Sequence, residues 1–304
     1  MKKLTDYGFV TGANGRKIVD PSTVPGIELG YSKENSKLGP CLNIGFEIEF
    51  TCRHDCECYS VIDPKTGKPG RGLCYGQCGF FAMGSNLAIA ANNYKFIKTH
   101  SEDEILAELI RIVESNPEIK FFRHFEIGDI PFLAYIRIMC KLAEMFQDVT
   151  FWGYTKKYEL VNTYFNRYGI ESKPGNLTII FSHWRNRDGS YLHMENPFNF
   201  PTSEFIPIGA EHLIKNYTYV CPCSDPDHVG FCVTCDHICG KLKHGESMVL
   251  CEHSTSATYK REKELSAIRD THKTEKDALL KKLRAENAAA RKAIMKARKE
   301  GKTA

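Results

Sequence analysis

Ile119–Ile127 (IKFFRHFEI), Pro131–Phe146 (PFLAYIRIMCKLAEMF) and Val149–Tyr154 (VTFWGY) decide how this chain folds. The first and last are short apolar runs rich in aromatic and β-branched residues, which suits buried strands. Between them apolar side chains recur at intervals of three and four, the period of a helix with one buried face. Strand, helix, strand in that order builds a parallel pair joined by a crossover helix.

Working outward, the same alternation continues. Asn43–Phe50 alternates with period two and reads as a strand. Helices are predicted over 86–99 and 102–114, the second started by Ser101 with Glu104 three residues on as a capping box. A helix over 158–168, a buried strand over 177–181, and shorter strands over 205–208 and 217–220 follow. The predicted fold is α/β, a mainly parallel sheet, either open or a partial (β/α) barrel, with cysteine-rich metal-binding loops and a long C-terminal helix. Residues 1–40, rich in Gly, Pro, Ser and Lys, read as an irregular arm. Residues 41–258 read as the α/β metal-binding domain with a cysteine-rich block at 221–253, and 259–304 as a basic helix.

The 304 residues are 42% hydrophobic and 26% charged, which is globular composition rather than disordered or fibrous. No apolar run approaches the roughly 18 residues of a membrane span. The start, Met1-Lys2-Lys3-Leu4-Thr5-Asp6, lacks the apolar core of a signal peptide. A cytoplasmic protein with no membrane partner is expected. The net charge of +4 is uneven: residues 259–304 carry 15 Lys and Arg against 7 Asp and Glu. Lys281, Lys282, Arg284, Arg291, Lys292, Lys296, Arg298 and Lys299 are suited to neutralising nucleic-acid phosphates. The plainer reading is a single projecting helix with a solvated face. Leu265, Ile268, Leu279, Leu283 and Ile294 keep helical spacing only in part, which does not make a coiled coil.

Cysteine is the chain's chemical signal. There are 13, and 11 of them fall in two short regions. Without an export signal, such clusters read as metal ligands or reactive thiols before disulfides. In the later region Cys232, Cys235 and Cys239 lie within eight residues, with Cys221 and Cys223 just upstream. Four soft thiolates at such spacing suit Zn²⁺ or an iron–sulfur cluster. The favoured quartet is Cys221, Cys232, Cys235 and Cys239; Cys223 is able to replace Cys221, and His228, His237, Cys251 and His253 are reserve donors. The earlier region offers Cys52, Cys58 and Cys74 as cofactor ligands, with Cys56 and Cys78 able to fill a fourth position. Cys41 and Cys140 stand apart, Cys140 as packing in its helix.

In parallel α/β folds chemistry gathers at the C-terminal strand ends. Those ends carry Arg123, His124, Glu126 and Asp129, then Tyr154, Thr155 and Lys156, then Ser182, His183 and Trp184. Arg123, Asp129, Lys156 and His183 are the catalytic candidates, against the alternative of solvated strand ends.

From about Lys37 to His253 the order of motifs resembles the phage gene product 88 proteins. It rests on Thr51-Cys52, Cys58 and Cys74-Tyr75, on Phe122-Arg123 and Gly128-Asp129-Ile130, on Tyr154-Thr155-Lys156-Lys157-Tyr158, and on Phe181-Ser182-His183-Trp184. Pro197–Pro201 and the block Cys221-Pro222, Cys232, Cys235, Cys239 and Gly245 to His253 complete it. The chain departs from the family in an insertion between Cys58 and Cys74. It also departs at Phe125 and Ile127, where members carry His and Ser, and in the three residues before Cys239. The arrangement is similar at fold level to radical S-adenosylmethionine barrels, although the first cysteine loop lacks their spacing. The resemblance implies no reaction. Two readings stay open: a cluster-dependent enzyme, or a non-catalytic zinc-stabilised binding protein touching nucleic acid or a partner protein through its basic helix.

Overall fold

The computed structural model describes residues 7–35, 38–56, 58–62, 66–67, 69–71, 74–77, 79–184, 193–206, 219–222, 230–235, 239–251 and 273–300. A hairpin of β1 (Phe9–Thr11) and β2 (Lys17–Val19) precedes β3 (Ser32–Asn35) and β4 (Gly39–Asn43). A single helical turn, α1 (Ile48–Thr51), and a small hairpin of β5 (Ser60–Ile62) and β6 (Pro69–Arg71) come next. Helices α2 (Gly84–Thr99) and α3 (Glu102–Glu114) then lead into β7 (Phe121–His124), α4 (Leu133–Met145), β8 (Thr150–Thr155), α5 (Tyr158–Tyr168) and β9 (Leu177–Trp184). β10 (Thr202–Ile206), β11 (Tyr219–Val220), β12 (Ser247–Cys251) and α6 (Lys273–Lys299) follow.

Eight strands pair in one open sheet, in the spatial order β11, β12, β10, β9, β8, β7, β4, β3. Every neighbouring pair is parallel except the edge pair β3–β4. From β4 to β10 the chain steps one way across the sheet. Right-handed crossovers then put the connecting helices on one face. Leu42, Phe122, Phe151 and Leu177 form one transverse row on that face. Ile105, Leu109 and Ile112 of α3, Ile136, Met139 and Leu142 of α4, and Val161 and Phe165 of α5 share the same core. Each such buried side chain stabilises by roughly 1.5–3 kcal/mol. The expected capping box starts α3, with Glu104 N donating to Ser101 Oγ at 3.3 Å and Ser101 N to Glu104 Oε2 at 2.7 Å.

Among the described residues, the opposite face is covered by the cysteine block rather than by the connecting helices. Cys41, Trp152, Ile180 and Met248 are buried there beside Phe121 and Tyr154, under Cys221, Cys232, Cys239 and Leu242. The cysteine block lies directly on the strands. A Cβ on Gly240 would meet Thr150 Cγ2 at 2.7 Å and Trp152 Cε3 at 2.9 Å, and Thr178 Oγ1 donates to Gly240 O at 2.6 Å.

Several boundaries differ from the sequence reading. Strand β4 ends at Asn43; Ile44 and Phe46 are buried on an extended segment that leads into α1, whose first residue is the buried Ile48. Ile44 N and Phe46 N still donate to Arg123 O and Ile127 O, at 3.2 and 3.0 Å. The run 119–127 is a regular strand only over Phe121–His124, because Phe125 takes φ 57° and breaks the ladder. The ring it turns inward fills the space over Gly153, where a Cβ would meet Phe125 Cδ2 at 2.9 Å. The arm read as irregular supplies a hairpin and the edge strand β3. β10 starts earlier than expected, and β12 was not anticipated.

Helix α6 does not project. Arg284 Nε pairs with Glu34 Oε2 at 2.8 Å, Arg291 Nη1 with Glu118 Oε1 at 3.0 Å, and Lys276 lies 5.3 Å over the Phe231 ring. Among the described residues, no helix is long and apolar enough to cross a membrane.

Candidate functional site

The family-like motifs at the ends of β7, β8 and β9 meet one another. Gly128 takes φ 83° in the turn after β7, and a Cβ there would come within 2.6 Å of Phe46 O. Only glycine fits so close an approach in the left-handed region. It delivers Asp129, whose Oδ1 accepts from Thr155 Oγ1 at 2.5 Å and Ile130 N at 2.7 Å, and whose Oδ2 accepts from Lys156 N at 2.9 Å. Burial raises the Asp129 pKa against the lowering effect of those three donors. Asp129 is therefore a clamp between the ends of β7 and β8. Lys157 Nζ adds a second tie, to Ile130 O at 2.7 Å.

The clamp sets Lys156. Its ammonium donates to Ser182 Oγ at 3.0 Å, and the Tyr158 hydroxyl donates to Ser182 O. Strand alternation puts Ser182 on the same face as Ile180, the cysteine-covered one, and turns His183 to the other. His183 lies opposite Glu204 in the register with β10. Burial alone would lower the Lys156 pKa, but Cys58, Cys56 and Cys74 raise it, and the net shift is upward.

Those thiols come from the loop after α1. Cys74 N donates to Cys58 O at 2.9 Å, and Tyr59 N to Cys56 O at 2.8 Å. Cys56 and Cys58 are buried, and Cys52 and Cys74 are half-buried. The Cys52 pKa is pushed well up, first by burial and then by Asp129, Cys74 and Cys56. That of Cys58 is pushed up by burial and by its hydrogen bond with Cys56. Cys52, Cys56, Cys58 and Cys74 thus lie in one another's field beside Lys156. Arg123 stands on the other side of Tyr75. Its Nη2 donates to the Tyr75 hydroxyl at 3.0 Å, its guanidinium lies 5.7 Å from the Tyr154 ring centre, and Tyr154 hydrogen-bonds Cys239.

The later cysteines gather over mid-sheet. Cys221, Cys232 and Cys239 share an apolar cluster with Cys41, and Cys239 Sγ lies 3.6 Å from Met248 Sδ. Cys235 is outside that cluster, its N–H donating to Cys232 O at 3.1 Å. Cys78, Cys223, His228, His237 and His253, and the side chain of Cys251, lie outside the described residues. No disulfide joins the described cysteines. Among the described residues, no three or more His, Cys, Asp and Glu side chains are placed to hold a metal ion. In number and softness, though, the four thiols of the first loop fit zinc or an iron–sulfur cluster.

His124, a strand end by sequence, is a core residue. It is fully buried among Phe122, Phe125, Tyr135 and Phe151, with neither ring nitrogen partnered, and burial lowers its pKa to about 3. The sequence reading passed over Tyr75 as the Arg123 partner and Cys41 as a member of the later cluster. The only signal for Cys41 was its alternation with Leu42 on β4.

No curated protein and no solved structure matches the chain. The gene product 88 family model matches residues 28–231, well over half of the chain. The chain belongs to the gene product 88 family.

Proposed function

We propose that this gene product 88 protein holds a metal, as an iron–sulfur cluster or Zn²⁺, on the thiolates of Cys52, Cys58 and Cys74, with Cys56 as a fourth donor. The observation that carries this reading is the gathering of four thiols about Lys156, where the motifs of three strand ends meet. Buried thiols that repel one another's charge ionise together only when a cation compensates them. Lys156 supplies one positive charge; a metal supplies the rest. Because the donors are not set in ligand geometry, the loop closes around its metal on binding. A cluster held by three thiolates leaves one iron open to substrate, with Lys156 at its rim, and the protein is then an enzyme. Four thiolates fill the coordination and make the centre structural or electron-transferring.

A second reading is a zinc-stabilised binding protein with its metal on Cys221, Cys232, Cys235 and Cys239. Its support is the shared cluster of Cys221, Cys232 and Cys239. Any nucleic-acid contact through α6 would then fall to Lys281, Lys282, Lys292, Lys296, Arg298 and Lys299, since Arg284 and Arg291 are engaged on the body.

Anaerobic reconstitution with iron and sulfide, followed by metal and sulfide analysis of wild type, Cys58→Ala and Cys232→Ala, tests both. The first reading expects metal, brown as a cluster or colourless as zinc, that is lost in Cys58→Ala and kept in Cys232→Ala. Uptake of zinc alone, lost only in Cys232→Ala, transfers the case to the second.

A further inference from the structure

Arg123 poses a charge problem that the thiol centres do not resolve. It lies on the cysteine-covered face of β7, opposite Trp152 in the register, and is half-buried. A guanidinium is always charged, and a largely buried one needs hydrogen-bond partners and a counter-charge. Among the described residues no carboxylate forms an ion pair with it. Glu126 contributes only at a distance, its Oε1 taken by Asn35 Nδ2 at 2.8 Å. The Tyr75 hydroxyl gives its proton to Glu126 O and so receives Arg123 Nη2 as an acceptor. Tyr154 offers its ring. Arg123 Nε is buried with no partner.

We propose that Arg123, framed by Tyr75 and Tyr154, is the anchor of a site for an oxyanion, the carboxylate or phosphate of a small molecule lodged between the two cysteine segments. The guanidinium fork matches such groups in shape and charge and would satisfy the orphaned Nε. Tyr75, 52% exposed, forms the outer wall through which the guanidinium is reached. Lys156, also without a carboxylate ion pair among the described residues, lies two residues beyond Tyr154 on the same strand line, roughly 7 Å along it, so a ligand carrying a second anionic group runs toward the first-loop thiols. The site does not depend on the metal reading.

The test is thermal unfolding of the full chain titrated with inorganic phosphate or with acetate, ionic strength held constant with sodium chloride. A saturable rise in Tm with phosphate, with acetate or with both is expected, and which anion acts identifies the source. In Arg123→Met that rise should be absent, and in Arg123→Lys reduced several-fold. Should Arg123→Met fail to fold, phenylglyoxal labelling of the wild type read by mass spectrometry takes its place, Arg123 being protected by the same anion. No saturable rise, an equal rise in Arg123→Met, or unchanged Arg123 labelling would overturn the proposal.

Discussion

The two faces of the central sheet are built from alternate residues of the same strands, yet they are closed by different means. On β8, Phe151 packs under the helices and Trp152 under the cysteine block; on β9, Ile179 and Ile180 divide in the same way. The helix face is a continuous aromatic and aliphatic core whose unpartnered polar groups include His124 and the Tyr135 hydroxyl. The other face buries sulfur and brings in two cations, Arg123 and Lys156, under short irregular segments. Burying charge costs stability, so the helix face must supply what the cysteine face gives up. One face holds the continuous apolar core, and the other holds the cysteines and the two cations.

The largest expected effect lies on the helix face. Phe122→Ala, in the centre of the transverse row, should cost about 3–5 kcal/mol in urea unfolding, and a chelator should not change that cost. An equal loss from chelation alone would erase the contrast between the faces.

Gly128→Ala should cost about 1–3 kcal/mol through its φ of 83° and the approach to Phe46 O. It should also loosen the hold on Lys156. Stability at the wild-type level would mean that the turn is not fixed as described.

Asp129→Asn sharpens the clamp. An amide placed against the Lys156 N–H opposes donor to donor, costing about 1–3 kcal/mol. Burial raises the folded-state pKa of Asp129, so folding takes up a proton there. That contribution is fully present below the ordinary carboxylate range and is lost as pH rises through the raised value. Melts across that window should fall with rising pH in wild type and be flatter in Asp129→Asn; parallel profiles would contradict the assignment.

The smallest effect is at the helix dock. Arg291→Ala breaks a part-buried pair with Glu118 at the molecular surface and should cost about 1 kcal/mol. A larger loss would make α6 part of the fold's foundation.

Much of this was legible in the sequence, for reasons that vary by segment. The βαβ core was readable because Phe122, Phe151 and the α4 stripe follow their periods without interruption. The strand after Asn43 was misplaced because Ile44 and Phe46 alternate on extended backbone, and Ile48, next in that alternation, already opens α1. The arm hid its strands because strands of three or four residues are too short to establish a period. At the candidate site, the motif residues Gly128, Asp129, Lys156 and Ser182 could be picked out, but not that Asp129 serves Lys156. The pairing of Tyr75 with Arg123 joins residues 48 positions apart and leaves no local pattern. The seating of α6 rests on arginine pairs to Glu34 and Glu118 and on Lys276 over Phe231, and nothing in its own sequence names those partners.

On the proposed reading, the cysteine face closes around metal while the helix face does not need it. Hydrogen exchange read by mass spectrometry, on metal-loaded and chelator-stripped protein, tests it most directly. Stripping should remove protection from residues 52–62 and 74–77, and from 230–235 and 239–251 if the later block is also loaded, while α3, α4 and β7–β9 keep theirs. Unchanged protection in 52–62 and 74–77, or loss spread evenly over both faces, would contradict the claim.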